Sequence, residues 1–129
     1  EIGGRQRQED LAFWARDEGG TALWFQRGGA ILGYGVVRQQ AWSFTGGRTC
    51  TIGPLGARDP AEAIACVRAA IAWAQTRVGE VQINLPGPHP ALADLLAHGF
   101  RIAYVETFHS DAAPFFDARC AITSGSGLL

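Results

Sequence analysis

The strongest pattern in the chain is an apolar strand followed by an apolar helix, within residues 48–77. The stretch TCTI at residues 49–52 is rich in β-favouring residues and predicts a buried strand, which a tight loop over residues 53–57 follows. A helix is predicted to start next, because Asp59 suits the N-cap and Pro60 suits the first helical position. A strand that feeds such a helix is a common place for an anionic ligand, since free N–H groups and the helix dipole converge there.

Apolar residues recur at helical spacing after this start. One stripe is formed by Ile64, Val67, Ile71 and Ala74, and other small or apolar residues widen it: Ala63, Cys66, Ala70 and Trp73. Glu62, at the third helical position, comes close to a capping box with Asp59. A helix with so wide an apolar face is expected to be mostly buried.

The remaining segments alternate between helices and strands. Spacing and turn residues predict a helix over 5–18, strands over 21–26 and 30–38 around a turn at 27–29, a strand over 80–85, a helix from 89 to Gly99, and strands over 100–109 and 118–123. The order predicts an α/β fold with a mixed central sheet, an N-terminal antiparallel hairpin, a parallel β-α-β crossover and flanking helices.

Three aromatic residues and a glycine pair leave alternatives open. Gly33 and Gly35 lie inside a predicted strand, which favours a bulge or close backbone packing over a nucleotide-binding loop. Trp42 and Phe44 are either core residues or an exposed binding edge. Together with Trp24 they also leave open a pocket for another small ligand.

Composition narrows the class of protein. With 129 residues, 47% of them hydrophobic, the chain can bury the core of one domain. A formal net charge of -1 and scattered basic residues, all arginine, argue against a nucleic-acid partner. No apolar run reaches the roughly 20 residues of a membrane span. The chain begins at Glu1 and contains no methionine, so we expect it to be a trimmed or incomplete form of a longer protein.

The cysteines indicate a reduced compartment. Cys50, Cys66 and Cys120 are odd in number, widely spaced and set in apolar segments. They predict small core residues rather than a disulfide framework or a zinc site, so we expect no metal and a cytoplasmic location.

Three stretches together resemble the GNAT acyl-CoA N-acyltransferase superfamily. GGAILGYGVVR at residues 28–38 is similar to its second and third strands, IGPLGA at 52–57 to its fourth strand, and LADLLAHGF at 92–100 to the helix that leads into its Gly-Phe. The Ile-Gly-Pro-Leu variant is similar to the C-terminal GNAT-like lobe of two-lobed members. The resemblance implies a single GNAT-like domain over residues 1–129 that lacks the usual first strand and helix.

The resemblance implies where acetyl-CoA would bind. The backbone of Leu55, Gly56 and Ala57 would hold the thioester and pantetheine, and the loop after it would hold the pyrophosphate. The other cofactor-binding residues implied are Arg58, Ala63, Ala65 and His89. The pyrophosphate loop is weakened here, because Glu62 replaces the family's arginine and adds a carboxylate to that of Asp59. A phosphate about 4 Å from a carboxylate meets repulsion of about 1 to 4 kcal/mol, more than the roughly 0.3–1 kcal/mol that the helix dipole offers.

The catalytic residues implied are also incomplete. Leu96 stands where many members have a tyrosine acid, so the candidates are Glu106 and His109 as bases and Tyr104 as an acid. Two functions follow from the resemblance. One is an N-acetyltransferase that acts on a small-molecule amine acceptor. The other is a non-catalytic lobe that packs on a second, catalytic GNAT lobe or forms a homodimer.

Overall fold

From residue 20 onward, the described part of the chain contains a five-stranded sheet and two helices. In the computed structural model, the residues described are 12, 13, 16, 20–39, 48–107, 109 and 117–123. The elements are β1 Gly20–Arg27, β2 Ala30–Arg38, β3 Thr49–Ala57, α1 Pro60–Gln75, β4 Glu80–Ile83, α2 Ala91–Ala97 and β5 Ala121–Ile122. Of the helix predicted over 5–18, the described residues Ala12, Phe13 and Arg16 are helical and the rest lies outside the described ranges. Trp42 and Phe44 also lie outside them.

The N-terminal hairpin forms as predicted. Strands β1 and β2 pair antiparallel from Gly20 opposite Arg38 to Arg27 opposite Ala30. Gly28 and Gly29 make the turn with φ values of 57° and 83°, a left-handed conformation that glycine adopts without a steric penalty.

Strand β3 is longer than predicted, because the expected loop at residues 53–57 is part of the strand. Its pairing with β2 shifts between Gly35 opposite Leu55 and Val37 opposite Ile52, so two residues of β3 face one residue of β2. Pro54, which follows a cis peptide bond, falls in this bulge. A proline has no N–H to donate to the ladder, and a bulge is a place in a sheet that tolerates this loss.

The parallel β-α-β crossover is confirmed. Helix α1 leaves the end of β3 and returns the chain to β4, which pairs parallel with β3 from Thr49 opposite Glu80 to Ile52 opposite Ile83. The helix covers the sheet with small and β-branched side chains, so the two layers approach closely. Its buried residues are Ala63, Cys66, Val67, Ala70, Ile71 and Ala74. The three cysteines are buried free thiols, as predicted.

The C-terminal part departs from the prediction. Helix α2 ends at Ala97, and Gly99 follows shortly after it as the expected stop, with a φ of 88°. The strand predicted over 100–109 is wrong: residues 100–107 and His109 form no strand, and Val105 is 82% exposed. A β-favouring sequence becomes a strand only where a neighbouring edge pairs with it, and in the described part of the chain none does.

The last predicted strand is shortened. Of residues 118–123, only Ala121 and Ile122 form β5, because the residues before it make a turn. In that turn the carbonyl oxygen of Asp117 accepts hydrogen bonds from the N–H groups of Cys120 and Ala121, at 2.9 and 3.0 Å.

Candidate functional site

The candidate site lies where β3 and β4 separate. Their parallel pairing ends at Ile52 and Ile83, whereas β3 continues to Ala57 and meets the first turn of α1. After β4 the chain turns away through Pro86 and Gly87. The backbone edge of residues 55–57 is therefore not paired with β4. The resemblance implies that a thioester would lie at this divergence.

The part of the β3 edge that β4 leaves unpaired is occupied by another strand. Strand β5 pairs antiparallel with the same stretch, with Leu55 opposite Ile122 and Gly56 opposite Ala121. The N–H of Ala57 donates to the carbonyl oxygen of Cys120 at 2.8 Å. The backbone stretch that was predicted to hold the thioester, residues 55–57, is thus paired with another part of the chain. A two-residue strand gives too weak a pattern for sequence reasoning to have placed it here.

In the present pairing the N–H of Ala57 is not available to acetyl-CoA. One N–H donates one strong hydrogen bond, and Cys120 already accepts it. Binding of the cofactor at this atom therefore requires that residues 120–122 move away. The lengths of β3 and α1 need not change for this.

The start of α1 is capped from within. The carboxylate of Asp59 accepts a hydrogen bond from the N–H of Ala61 at 2.8 Å, which confirms the predicted N-cap. The predicted capping box is incomplete, because the side chain of Glu62 instead forms an ion pair of 2.8 Å with Arg27 of β1. This pair offsets the charge of Glu62, and exposed Arg58 remains the cation nearest in sequence to the helix start.

The small residues of α1 are arranged as close packing requires. Ala63 is fully buried and Ala65 half-buried, and the side chain of Val67 is buried in the core. Across the sheet, a Cβ added to Gly33 would lie 2.3 Å from the carbonyl oxygen of Gly56. The predicted close backbone packing at Gly33 is therefore confirmed, and it holds the backbone of β3 in place at the candidate site.

Tyr104 is held at the end of β4. Its hydroxyl donates to the side-chain oxygen of Asn84 at 2.9 Å. Burial raises the pKa of Tyr104, and the charge of Glu106 raises it further, whereas the hydrogen bond to Asn84 lowers it. A phenol is protonated at neutral pH even without this shift, as a general acid requires. Tyr104 and Glu106 are close enough to interact, and His109 is exposed.

His89 is deeply buried before α2. Only 2% of it is exposed, and its Nδ1 accepts a hydrogen bond from the N–H of Ala91 at 3.2 Å. Burial lowers the pKa of His89, so the imidazole is neutral and its Nε2 carries the proton. No described residue accepts a hydrogen bond from Nε2. In this arrangement His89 supports the start of α2, and its role toward a cofactor stays a prediction.

Two further expectations concern apolar residues. Leu96, which stands where the resemblance places a tyrosine acid, is 43% exposed on α2. Trp24 is exposed on β1, with its ring centroid 6.4 Å from that of Tyr34. The open question of a pocket that also contains Trp42 and Phe44 falls outside the described residues.

The described ranges contain neither a metal centre nor a membrane-spanning helix. There, no three His, Cys, Asp or Glu side chains are grouped so that they could hold a metal ion. No helix in the same ranges combines the length and the apolar character needed to cross a bilayer.

Comparison with known proteins gives a family. The family model of the acetyltransferase (GNAT) domain matches residues 1–105. Among solved structures, a transcriptional regulator from Bacillus halodurans C-125 is similar, with a TM-score of 0.58 and 15% identity over 79% of this chain and 73% of the other. A provisionally assigned acetyl transferase from Pyrococcus furiosus has a TM-score of 0.57 and 15% identity over 81% and 74%. No curated protein matches the chain at a significant level.

Proposed function

Because this chain belongs to the acetyltransferase (GNAT) family, we propose that it transfers an acetyl group from acetyl-CoA to an amine. The observation that carries this proposal is the separation of β3 from β4 beyond Ile52 and Ile83, directly before the N-terminus of α1. It supplies a backbone edge at residues 55–57 for a thioester and a helix start for the phosphates.

In this proposal, backbone N–H groups polarise the carbonyl of the thioester. Acetyl-CoA, when bound, supplies an activated acyl group. N–H groups between Leu55 and Ala57 then stabilise the negative charge that develops on the acyl oxygen when an amine attacks. They need no side chain for this, so the site tolerates apolar residues along β3.

We assign proton transfer to side chains that follow β4 in the chain. Tyr104, protonated at neutral pH and oriented by Asn84, is the proposed acid for the departing thiolate. Glu106 or His109 is the proposed base that takes a proton from the amine. These assignments follow from the position of Tyr104 at the end of β4 and from its interaction with Glu106.

In this proposal, the start of α1 binds the phosphates of acetyl-CoA more weakly than residues 55–57 bind its thioester. Asp59 uses the N–H of Ala61 and repels a phosphate, whereas the ion pair with Arg27 offsets Glu62. Arg58 is proposed to supply the attraction, next to the small side chains of Ala63 and Ala65. We therefore expect micromolar to millimolar affinity for acetyl-CoA rather than tight binding.

Calorimetric titration with acetyl-CoA tests the cofactor. Arg58→Ala is expected to weaken binding about tenfold, since it removes a cation worth about 1.4 kcal/mol beside the phosphates. Arg48→Ala is the matched control, because this exposed arginine precedes the opposite end of β3. No heat at millimolar acetyl-CoA would reject the cofactor, and equal weakening by both variants would reject the role of Arg58.

Steady-state assays test the chemistry. Release of CoA is followed with polyamines, arylalkylamines and α-amino acids as acceptors. Tyr104→Phe is expected to lower kcat by about 100-fold, as loss of a general acid does. Tyr34→Phe removes a hydroxyl from β2 and is expected to leave kcat unchanged. If Tyr104→Phe keeps full kcat, the proton comes from another group.

A second candidate function is a non-catalytic lobe that packs on a second GNAT lobe or on its own copy. Two observations favour it: Leu96 offers no proton, and residues 101–107 are exposed although they contain Ile102 and Val105. Sedimentation of the wild-type chain and of Val105→Asp tests self-association. A dimer that Val105→Asp dissociates, in a chain that binds no acetyl-CoA, would favour this function over catalysis.

A further inference from the structure

The outer edge of β3 has two neighbours in succession. Residues 49–52 pair with β4, and residues 55–57 pair with residues 120–122. The second neighbour approaches antiparallel and lies beyond residues 1–105, which the family model matches. The segment that fills the site is therefore not part of the matched domain.

We propose that residues 55–57 form a binding site for the chain's own segment 117–123, and that this segment and acetyl-CoA occupy the site in turn. The exclusion of acetyl-CoA rests on the proposed function; the binding of the segment does not. The segment acts as an internal competitor that must leave before the cofactor can use the N–H of Ala57.

The hydrogen bond of Ala57 carries the argument for exclusion. Its N–H donates to the carbonyl of Cys120 at 2.8 Å, and the flanking residues Leu55 and Gly56 are paired in register with β5. A thioester that accepts from the same N–H has to replace this carbonyl, because the N–H makes one strong hydrogen bond at a time.

Side-chain burial holds the segment in place. Ile122 is 1% exposed and belongs to the main core cluster, and Cys120 is buried beside it. The turn that precedes β5 is also ordered, since the carboxylate of Asp117 accepts from the N–H of Arg119 at 2.9 Å. The segment thus has one apolar anchor and a preformed turn.

The same segment is short enough to leave. Strand β5 has two residues, and in the described part of the chain it pairs with β3 alone. Strands β1 to β4 keep their own pairings without it. The apparent affinity for acetyl-CoA then equals the intrinsic affinity multiplied by the fraction of molecules whose segment is undocked.

Replacement of the anchor tests the competition. Ile122→Ala is expected to raise the affinity for acetyl-CoA about tenfold in calorimetric titration of the full chain, since it weakens docking of the segment. Ile71→Ala is the matched control, because it removes the same atoms from a buried position on α1 rather than from the segment itself. It is expected to leave the affinity unchanged at a similar loss of stability.

Hydrogen exchange of the full chain gives a second measurement, which reads the docking of the segment directly. Without ligand, the amide of Ala57 is expected to exchange slowly, and Ile122→Ala should speed it. Saturation with acetyl-CoA is expected to speed exchange at residues 120–123 while the amide of Ala57 stays protected.

The outcomes separate the two proposals. If acetyl-CoA binds the wild type and Ile122→Ala equally and leaves exchange at 120–123 unchanged, the competition is refuted and the proposed function stands. If no variant binds acetyl-CoA, the cofactor and its exclusion are both refuted. Slow exchange of Ala57 that Ile122→Ala speeds would then still support the binding of the segment. Fast exchange of Ala57 in the wild type would refute that binding as well.

Discussion

Replacement of Gly33 by alanine is expected to destabilise the sheet at the candidate site. An added Cβ would lie 2.3 Å from the carbonyl oxygen of Gly56, 3.1 Å from the Cα of Ala57 and 3.2 Å from the Sγ of Cys66. Two of these three neighbours are backbone atoms, which a rotamer change cannot move. Gly33 has no positive φ, so the effect is steric rather than conformational.

The magnitude follows from the depth of the overlap. Carbon and oxygen atoms that are not bonded need more than 3 Å, so β2 and β3 must separate or slide by most of an ångström. Overpacking of a well-packed core costs typically about 1–3 kcal/mol. Because backbone is involved, we expect about 3 kcal/mol for Gly33→Ala. For a domain of this size that corresponds to a fall in Tm of about 10 °C.

Urea and thermal unfolding measure this loss. Gly79→Ala is the matched control, because Gly79 also lacks a positive φ and a Cβ there meets no atom within 4 Å. It is expected to be neutral or to stabilise by about 0.4–1 kcal/mol through the unfolded state. A Gly33→Ala protein within about 0.5 kcal/mol of the Gly79→Ala protein would refute the close approach of β2 to β3.

Three further predictions concern single residues. Asp59→Ala should cost about 1 kcal/mol in urea unfolding, since the N–H of Ala61 loses its cap, whereas Asp59→Asn should cost less than half of that. Hydrogen bonds from Arg119 lower the pKa of Asp117 to about 2 from 3.8, so the stability that this pair contributes is present above pH 4 and is lost as the pH falls toward 2. A urea midpoint that falls as steeply between pH 4 and pH 2 in Asp117→Asn as in the wild type would contradict this. Burial and the charge of Glu62 raise the pKa of Cys66 to about 11, so iodoacetamide at pH 8 should modify this thiol only after unfolding; rapid modification of the native chain, read by mass spectrometry, would refute its burial.

Local chemistry in the sequence determined most of the elements. The hairpin was predictable because Gly28 and Gly29 permit the positive φ that a two-residue turn needs. The start of α1 was predictable because Asp59 and Pro60 each suit one position of a helix N-terminus. These signals act within a few residues and do not depend on what packs against them.

The extent of the strands depended on pairing between distant residues. Residues 53–57 looked like a loop because glycine and proline usually end a strand, yet a bulge opposite Val36 carries β3 past them. Residues 100–107 looked like a strand, yet no edge in the described chain pairs with them. A strand exists only in a sheet, so its ends follow from partners that local propensity does not contain.

For the candidate site, too, some features followed from the sequence and others only from the tertiary structure. Resemblance in the sequence predicted the family, because the order of strand, helix start and Gly-Phe can be recognised without any tertiary contact. It did not predict that Glu62 pairs with Arg27, or that Cys120 accepts a hydrogen bond from Ala57. The sequence by itself thus determined the framework of the site. The tertiary structure alone decided which groups occupy it, since both contacts join residues that are far apart in the chain.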